Sequence, residues 1–461
     1  MINILQLSEN WQALEIQKLL VICGEYPVQS LHLMPNHSHD YLMKTIRQMR
    51  EERLISETGK GQYKSLRILK KGLQSLAVLD PKAYEQYMCM ADSNNEKVSH
   101  DNKHKKRNLR IAAVTQLMAL AGVKTAVSTE TVWGKPRLLE FTYNGYEQEE
   151  ESPQLYTTDA AYNKNNSTTD NINADENQPW QSKEGSLKTA ALEAAALKAD
   201  YTTKSNKNDM PYFYNSREMK RCDKEGIYKT SFTRVIGLYV TEESWYGVFN
   251  MGNGMCEWNA NAETKSQGLM ETIIDKNRWR NNKKELFYRE NILIARKAEV
   301  AIKIIEMSEE EMRSGGIKAY RDKGGKIRRY IRLDNTYSAT HFVLEDESGI
   351  IMLKMLSTPD YRELIAERLL RSEVRENAEK FSIEIDGYKE GENECIFLFF
   401  DSDLKRLMRF KGGMGMINMP MSRCKVACFD WQQTIVKQYL GDEVQILSYV
   451  PDVIENILIN N

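Results

Sequence analysis

The chain has 461 residues, of which 41% are hydrophobic and 28% charged, with a net charge of −1. Such a length suggests about two to four domains, and the composition suits a globular protein with a real core. The net charge excludes a polycationic chain, so any nucleic-acid contact must come from a local basic patch. The seven cysteines are scattered, with no CxxC pair, which argues against a zinc site and for reduced thiols. The first residues, Met1-Ile2-Asn3-Ile4-Leu5-Gln6, carry no basic-then-apolar leader, and no apolar run approaches the ~20 residues of a membrane span. The expectation is a cytoplasmic protein without membrane contact.

Residues 1–90 read as a small helical domain with one hairpin. A first helix spans Asn10 to Cys23, since Ile16, Leu19, Leu20 and Cys23 fall on one stripe and Gly24 closes it. A short second helix starts at Pro27 and stops at Pro35. The third starts near Asn36 or Ser38, with Leu42, Ile46, Met49 and Arg53 on one side. His37, Lys44, Arg47 and Gln48 occupy the other, as side chains suited to phosphates and base edges. Leu54–Glu57 and Tyr63–Leu69 make strands around a glycine-bearing turn, and Leu69–Leu76 leads into a fourth helix. Lys60, Lys64 and Arg67 lie on that hairpin. Between Asn36 and Gly72 there are nine basic against four acidic residues, a phosphate-binding footprint in a neutral chain. The pattern is that of a winged helix-turn-helix, so the expected partner is double-stranded DNA.

Residues 91–143 begin as a basic linker, with Lys103-His104-Lys105-Lys106-Arg107, and continue into an apolar helix. Residues 144–210 are polar and low in complexity, too poor in apolar groups to offset their ordering entropy, and are expected to be disordered. Residues 211–461 alternate strands and helices; if the region divides, it does so near 310–330. Phe232–Val240 and Tyr246–Asn250 read as strands, and Asn291–Met307 as an amphipathic helix. His341–Leu344 and Ile350–Met355 read as strands. After 390 the order is regular: strands Cys395–Phe400, Val426–Phe429 and Val444–Leu447 alternate with helices Leu404–Phe410, Trp431–Leu440 and Val453–Ile459. Such alternation implies a parallel sheet. The expected fold class is α/β multidomain: an N-terminal winged helix-turn-helix, then a mixed α/β region with a partly parallel sheet.

Arg50-Glu51-Glu52-Arg53-Leu54-Ile55, the hairpin, and Leu69-Lys70-Lys71-Gly72-Leu73-Gln74-Ser75-Leu76 resemble the winged-helix start of replication–relaxation proteins of plasmids and conjugative elements. Phe213-Tyr214-Asn215-Ser216-Arg217-Glu218-Met219-Lys220, with Arg234–Leu238 and Tyr246–Asn250, resembles proteins of integrative conjugative elements of low-GC Gram-positive bacteria. The resemblance implies a role in element replication, DNA relaxation or transfer, with a relaxase or replication protein, or a second copy of the chain, as partner. No catalytic residue carries over.

Three constellations bear on catalysis. His37-Ser38-His39 has serine where a two-histidine relaxase needs an apolar residue, and it opens a helix. Glu263-Thr264-Lys265, with Glu243 or Glu257, matches a nuclease Glu-x-Lys pattern, but its flanks are not strand-like. Asp401 and Asp403 end one predicted strand and Asp430 ends the next, where the carboxyl ends of parallel strands converge. Together they would hold Mg²⁺ in a metal-dependent nuclease; helix capping is the competing explanation. Lys405, Arg406 and Arg409 follow on the next helix, where a solvated face explains them equally well. No cofactor is expected otherwise, and Lys411-Gly412-Gly413-Met414-Gly415 reads as a loop because it lacks the Lys-Ser/Thr of a phosphate-binding loop. The leading expectation is a sequence-specific DNA-binding accessory protein; the alternatives are the nuclease or nicking enzyme and a winged-helix transcriptional regulator.

Overall fold

Helix α1 (Trp11–Cys23) buries Ala13, Ile16, Leu19, Leu20 and Cys23 in one core, and Gly24, at φ 73°, turns the chain out of it. The computed structural model describes residues 11–34, 38–81, 84, 102–127, 137–139, 211–222, 234–254, 260–278, 288–314, 320–321, 327–328, 333 and 336–459. These belong to one compact unit made of Met1–Tyr143 and Lys207–Asn461. The polar segment expected over 144–210 lies outside the described residues.

After α1 come β1 (Glu25–Pro27), a 3-10 turn (Val28–Leu33), α2 (His39–Glu51), β2 (Ile55–Thr58), β3 (Ser65–Ile68) and α3 (Lys70–Leu79). The strands form an antiparallel sheet in the order β1-β3-β2. Tyr26 pairs with Leu66 and Ile55 with Ile68, which turns these side chains onto α1 and α2. Strand β1 takes the place where the sequence suggests the start of a second helix at Pro27. Arg53 is not on the buried side of α2: it lies beyond the helix, exposed and at φ 60°, where the chain reverses into β2.

The zone 91–143 contributes to the body rather than only leading to it. Helix α4 (Asn102–Leu120) is followed by β4 (Lys124–Val127) and β5 (Arg137–Leu139). Residues 111–119 of α4 are buried without a break, so the helix is enclosed on all sides. Ala112 packs into the core of the N-terminal module, while Ile111, Val114, Leu117 and Met118 pack beneath the large sheet. Tyr26 donates to Gln116, and Lys105 bonds Glu25 at 3.3 Å, so polar contacts cross the same seam.

The large sheet continues with β6 (Tyr212–Asn215), β7 (Val235–Val240), β8 (Ser244–Gly252), β9 (Tyr288–Ala295) and β12 (Thr340–Leu344), with α5 (Ser216–Cys222), α6 (Ala260–Arg278) and α7 (Glu299–Ser314) between them. Strands β10 (Tyr320–Arg321) and β11 (Ile327–Arg328) form a separate small hairpin. The large sheet's order is β12-β9-β8-β7-β6-β4-β5, parallel between β12, β9 and β8 and again between β4 and β6. Residues 310–330 therefore do not divide it: β12 pairs with β9 across that segment. Next come α8 (Glu347–Ser357), α9 (Tyr361–Leu369) and α10 (Ser372–Ala378). A second sheet, β13 (Gly387–Lys389), β14 (Glu394–Leu398), β15 (Cys424–Phe429) and β16 (Gln445–Tyr449), is parallel from β14 to β16. Its helices are α11 (Leu404–Met416), α12 (Gln433–Leu440) and α13 (Pro451–Ile459). Leu293, Phe342, Phe397 and Val426 share one core with α6, α7, α11 and α12; Ile292, Val343, Ile396 and Ala427 share another with α4, α8 and α13. Two sheets thus sit between common helix layers, which makes the chain mixed α/β.

Three expectations need correction. Asn291–Met307 is not one helix: Asn291-Ile292-Leu293-Ile294-Ala295 is buried on both faces as the inner strand β9, and the helix starts at Glu299. Ile350–Met355 lies inside α8, capped by Asp346, which accepts from the amides of Ser348 and Gly349. The glycine run at 411–415 is helical within α11, and at Gly413 a side chain would come within 2.9 Å of Ile383, so a glycine fits the close approach there. No helix among the described residues is long and apolar enough to cross a membrane.

Candidate functional site

Ser38 caps α2 by accepting from the amide of Tyr41 at 3.3 Å, and Leu42, Thr45, Ile46 and Met49 are buried beneath the helix. That 3.6-residue repeat leaves Tyr41, Lys44, Arg47, Gln48 and Glu51 exposed on the other face. Lys44 and Arg47 make no ion pair among the described residues. Lys60 and Lys64 are exposed on the hairpin, where Lys64 pairs with Glu57 at 3.1 Å; Arg67 is half-buried on β3. The structure therefore brings Lys44, Arg47 and Gln48 together on one helix face, with Lys60 and Lys64 on the adjoining hairpin. His37 lies outside the described residues. Tyr41, 50% exposed one turn before Lys44, shares this face, and the sequence reading did not single it out although its spacing places it there.

The second candidate lies where the two sheets meet. The segment after β14 crosses β12: His341 and Asp403 form a bridge, and Phe342 N donates to Ser402 O at 3.1 Å. Ser402, fully buried at φ 48°, takes a left-handed turn that L residues seldom adopt. Asp401 and Asp403 flank that turn and both reach Arg362 of α9. Arg362 Nε donates to Asp401 Oδ2 at 2.6 Å and a terminal nitrogen lies 3.5 Å from Asp403 Oδ2. Tyr361 donates to Asp401 Oδ2 at 3.3 Å. His341 meets the Glu290 carboxylate through Nε2 at 3.0 Å and the Asp401 carbonyl through Nδ1 at 2.8 Å. Both ring nitrogens face acceptors, so the imidazolium form alone satisfies both.

The charges follow from this geometry. Burial pushes Glu290 up, but the hydrogen bond and charge of His341 outweigh it and hold the carboxyl below its usual range. Burial pushes His341 down, and Glu290, Asp401 and Asp403 more than compensate, so it titrates above an ordinary histidine. Burial raises Asp401 too, yet Arg362, His341 and Arg406 hold it well below the normal carboxylate range. Asp403 goes the other way, because burial and repulsion from Asp401 push it up despite His341 and Arg362. Two neighbouring carboxyls are thus driven apart. Asp403, but not Asp401, lines a cleft of about 420 Å³ formed with Glu242, Glu243, Tyr246, Asp360 and Glu363 among others, with Arg362 and Arg409 as the basic side chains.

An Mg²⁺ site does not fit these residues. Asp401 Oδ1 accepts from the amide of Asp403, and its Oδ2 from Arg362 and Tyr361. Asp403 Oδ1 caps α11 through Lys405 N and accepts Thr340 N, which leaves Oδ2 alone, beside a guanidinium. Asp430 turns away to Gln433 and Ser448 at the start of a 3-10 helix. Arg406 is not on a solvated face: it is buried, bonded to Glu384, Asp386 and the Leu398 carbonyl. Glu263 lies in the first turn of α6, buried and accepting Arg234 N at 2.7 Å, so the Glu-x-Lys pattern does not sit on a strand. Glu290, His341 and Arg362 were not singled out by the sequence argument; a lone histidine heading the apolar strand 341–344 was the one signal available. Cys23, Cys395, Cys424 and Cys428 are buried free thiols, pushed up by burial to about 11–12 and so protonated. The chain matches no family model, no curated protein and no solved structure.

Proposed function

We propose that residues 11–79 act as a winged helix that binds double-stranded DNA, with α2 in the major groove and the β2–β3 hairpin along the backbone. The chain would then serve as a sequence-specific accessory protein of a mobile genetic element, in replication, DNA relaxation or conjugative transfer. The observation that carries the DNA reading is the exposed row Tyr41, Lys44, Arg47 and Gln48 on a helix whose other face is buried. The order helix, strand, short helix, helix, hairpin supports it, since that order sets a recognition helix beside a wing. The mobile-element part rests on the resemblance of Arg50–Ile55 and Leu69–Leu76, and recruitment of a relaxase or replication protein falls to the α/β body. A nicking activity through Asp401, Asp403 and Asp430 is not favoured, because both Asp401 oxygens are committed to Arg362, Tyr361 and a backbone amide, Asp403 Oδ1 caps α11, and Asp430 turns away to Gln433 and Ser448.

The test is incubation of the full chain with supercoiled plasmid carrying the DNA beside its gene, with and without Mg²⁺. Retardation without nicking is expected. Arg47→Ala and Lys60→Ala should each weaken binding, and the salt slope should flatten by about 0.9 per lost phosphate contact. Normal binding by both variants would remove α2 from the groove.

A further inference from the structure

The cleft beside Asp403 carries more negative charge than its basic side chains offset. It lies at the amino ends of β8, β9 and β12, between the β7–β8 turn and the start of α9. Both arginines of the lining already have partners. Arg362 is held by Asp401 and Asp403, and Arg409 Nε bonds Glu384, outside the lining, at 3.2 Å. Glu290 is matched by His341 at 3.0 Å. Glu242, Asp360 and Glu363 stand exposed at the rim and make no ion pair among the described residues.

The floor of the cleft is Asp403, which is 1% exposed. Its Oδ1 accepts from the amides of Thr340 and Lys405, while Oδ2 receives no hydrogen bond among the described residues and has an Arg362 nitrogen 3.5 Å away. A buried carboxylate oxygen without a donor costs free energy that a bound donor recovers. Burial and repulsion from Asp401 push this carboxyl up, and a positive group arriving there relieves both. Asp360 precedes α9, where an aspartate ordinarily caps the helix through its side chain. Here it sits at φ 52° and makes no cap bond; its amide instead donates to Glu243 Oε2 at 3.1 Å.

The rest of the lining suits an organic cation. A cleft of about 420 Å³ has the size of a small-molecule site, which occupies roughly 300–1,000 Å³. Tyr246, Tyr288 and Tyr361 line it, Tyr288 with 61% of its surface exposed, and a tyrosine ring attracts cations and packs against methylenes. Among the described residues no cluster of His, Cys, Asp or Glu is arranged to hold a metal ion. We propose that this cleft binds an alkyl diamine or polyamine, with one ammonium at Asp403 and another at the rim formed by Asp360 and Glu363. A chain charged at both ends matches a buried floor carboxylate and a separate exposed row. The inference does not depend on α2 reading DNA.

The experiment titrates the full chain with putrescine, butylamine and butanediol, which share one carbon chain and differ in their ends, by calorimetry at fixed ionic strength. Putrescine should bind most tightly, butylamine more weakly and butanediol not measurably. The double variant Asp360→Asn/Glu363→Lys neutralises one rim charge and reverses another, and asparagine tolerates the left-handed backbone at 360. It should weaken putrescine binding roughly tenfold. Glu379→Gln, at an exposed acid outside the lining, should leave binding unchanged, and thermal melting verifies that both variants are folded. The inference is overturned if putrescine does not bind, if butylamine or butanediol binds as tightly, if the double variant binds normally, or if Glu379→Gln weakens binding as much as the double variant does.

Discussion

Glu263 shows how one misplaced charge makes stability depend on pH. Burial pushes its carboxyl up to about 7, with only Arg234 and Arg107 opposing. A group protonated more readily when folded than unfolded contributes its stability at low pH and loses it as pH rises. Stability should therefore fall between about pH 4.5 and 7, and Glu263→Gln, which keeps an acceptor for Arg234 N, should flatten that fall. Urea unfolding at several pH values measures both curves; parallel curves would mean that Glu263 is solvated in the folded protein. At the same scale, the exposed faces of Lys44, Arg47 and Gln48 were legible because helical period and polarity coincide there. The partners of Asp401 were not, since Arg362 is 39 residues away in sequence and nothing local announces it.

Among the elements, α9 acts as the clasp between the two sheets. Arg362 is its second residue, and it neutralises Asp401 and Asp403 at the crossing of β12 by the segment after β14. Arg362→Met strands two buried carboxylates and should cost about 2 kcal/mol, a modest figure because the guanidinium is 41% exposed. Asp401 titrates below its ordinary range, so its contribution is present at neutral pH and lost on acidification. The gap between variant and wild type should narrow as pH falls, in chemical denaturation followed by circular dichroism. A pH-independent gap would assign the effect to packing. The alternating run after 390 was readable because each inner strand is a short apolar block bounded by turns. Short apolar blocks were harder. Asn291–Ala295, buried on both faces, reads as helix, and Ile350–Met355, whose Lys354 stands exposed, reads as strand; so few residues do not separate the two periods, and each is the reverse. Strand β1, three residues long, is too short to show a period at all.

For the whole molecule, α4 decides how the parts are joined. It contributes Ala112 to the N-terminal core and Ile111, Val114, Leu117 and Met118 to the core under the large sheet. A helix buried on all sides ties the N-terminal core and the core under the large sheet into one packed structure. The sequence shows the basic face but not this seam, because residues 103–107 look like a solvated run, whereas Lys105 is buried against Glu25. The most direct test of the DNA reading is backbone amide hydrogen exchange on the full chain, with and without a duplex at low salt. New protection concentrated in α2 and the β2–β3 hairpin is predicted. Protection confined to the α/β body, with α2 unchanged, would contradict the account.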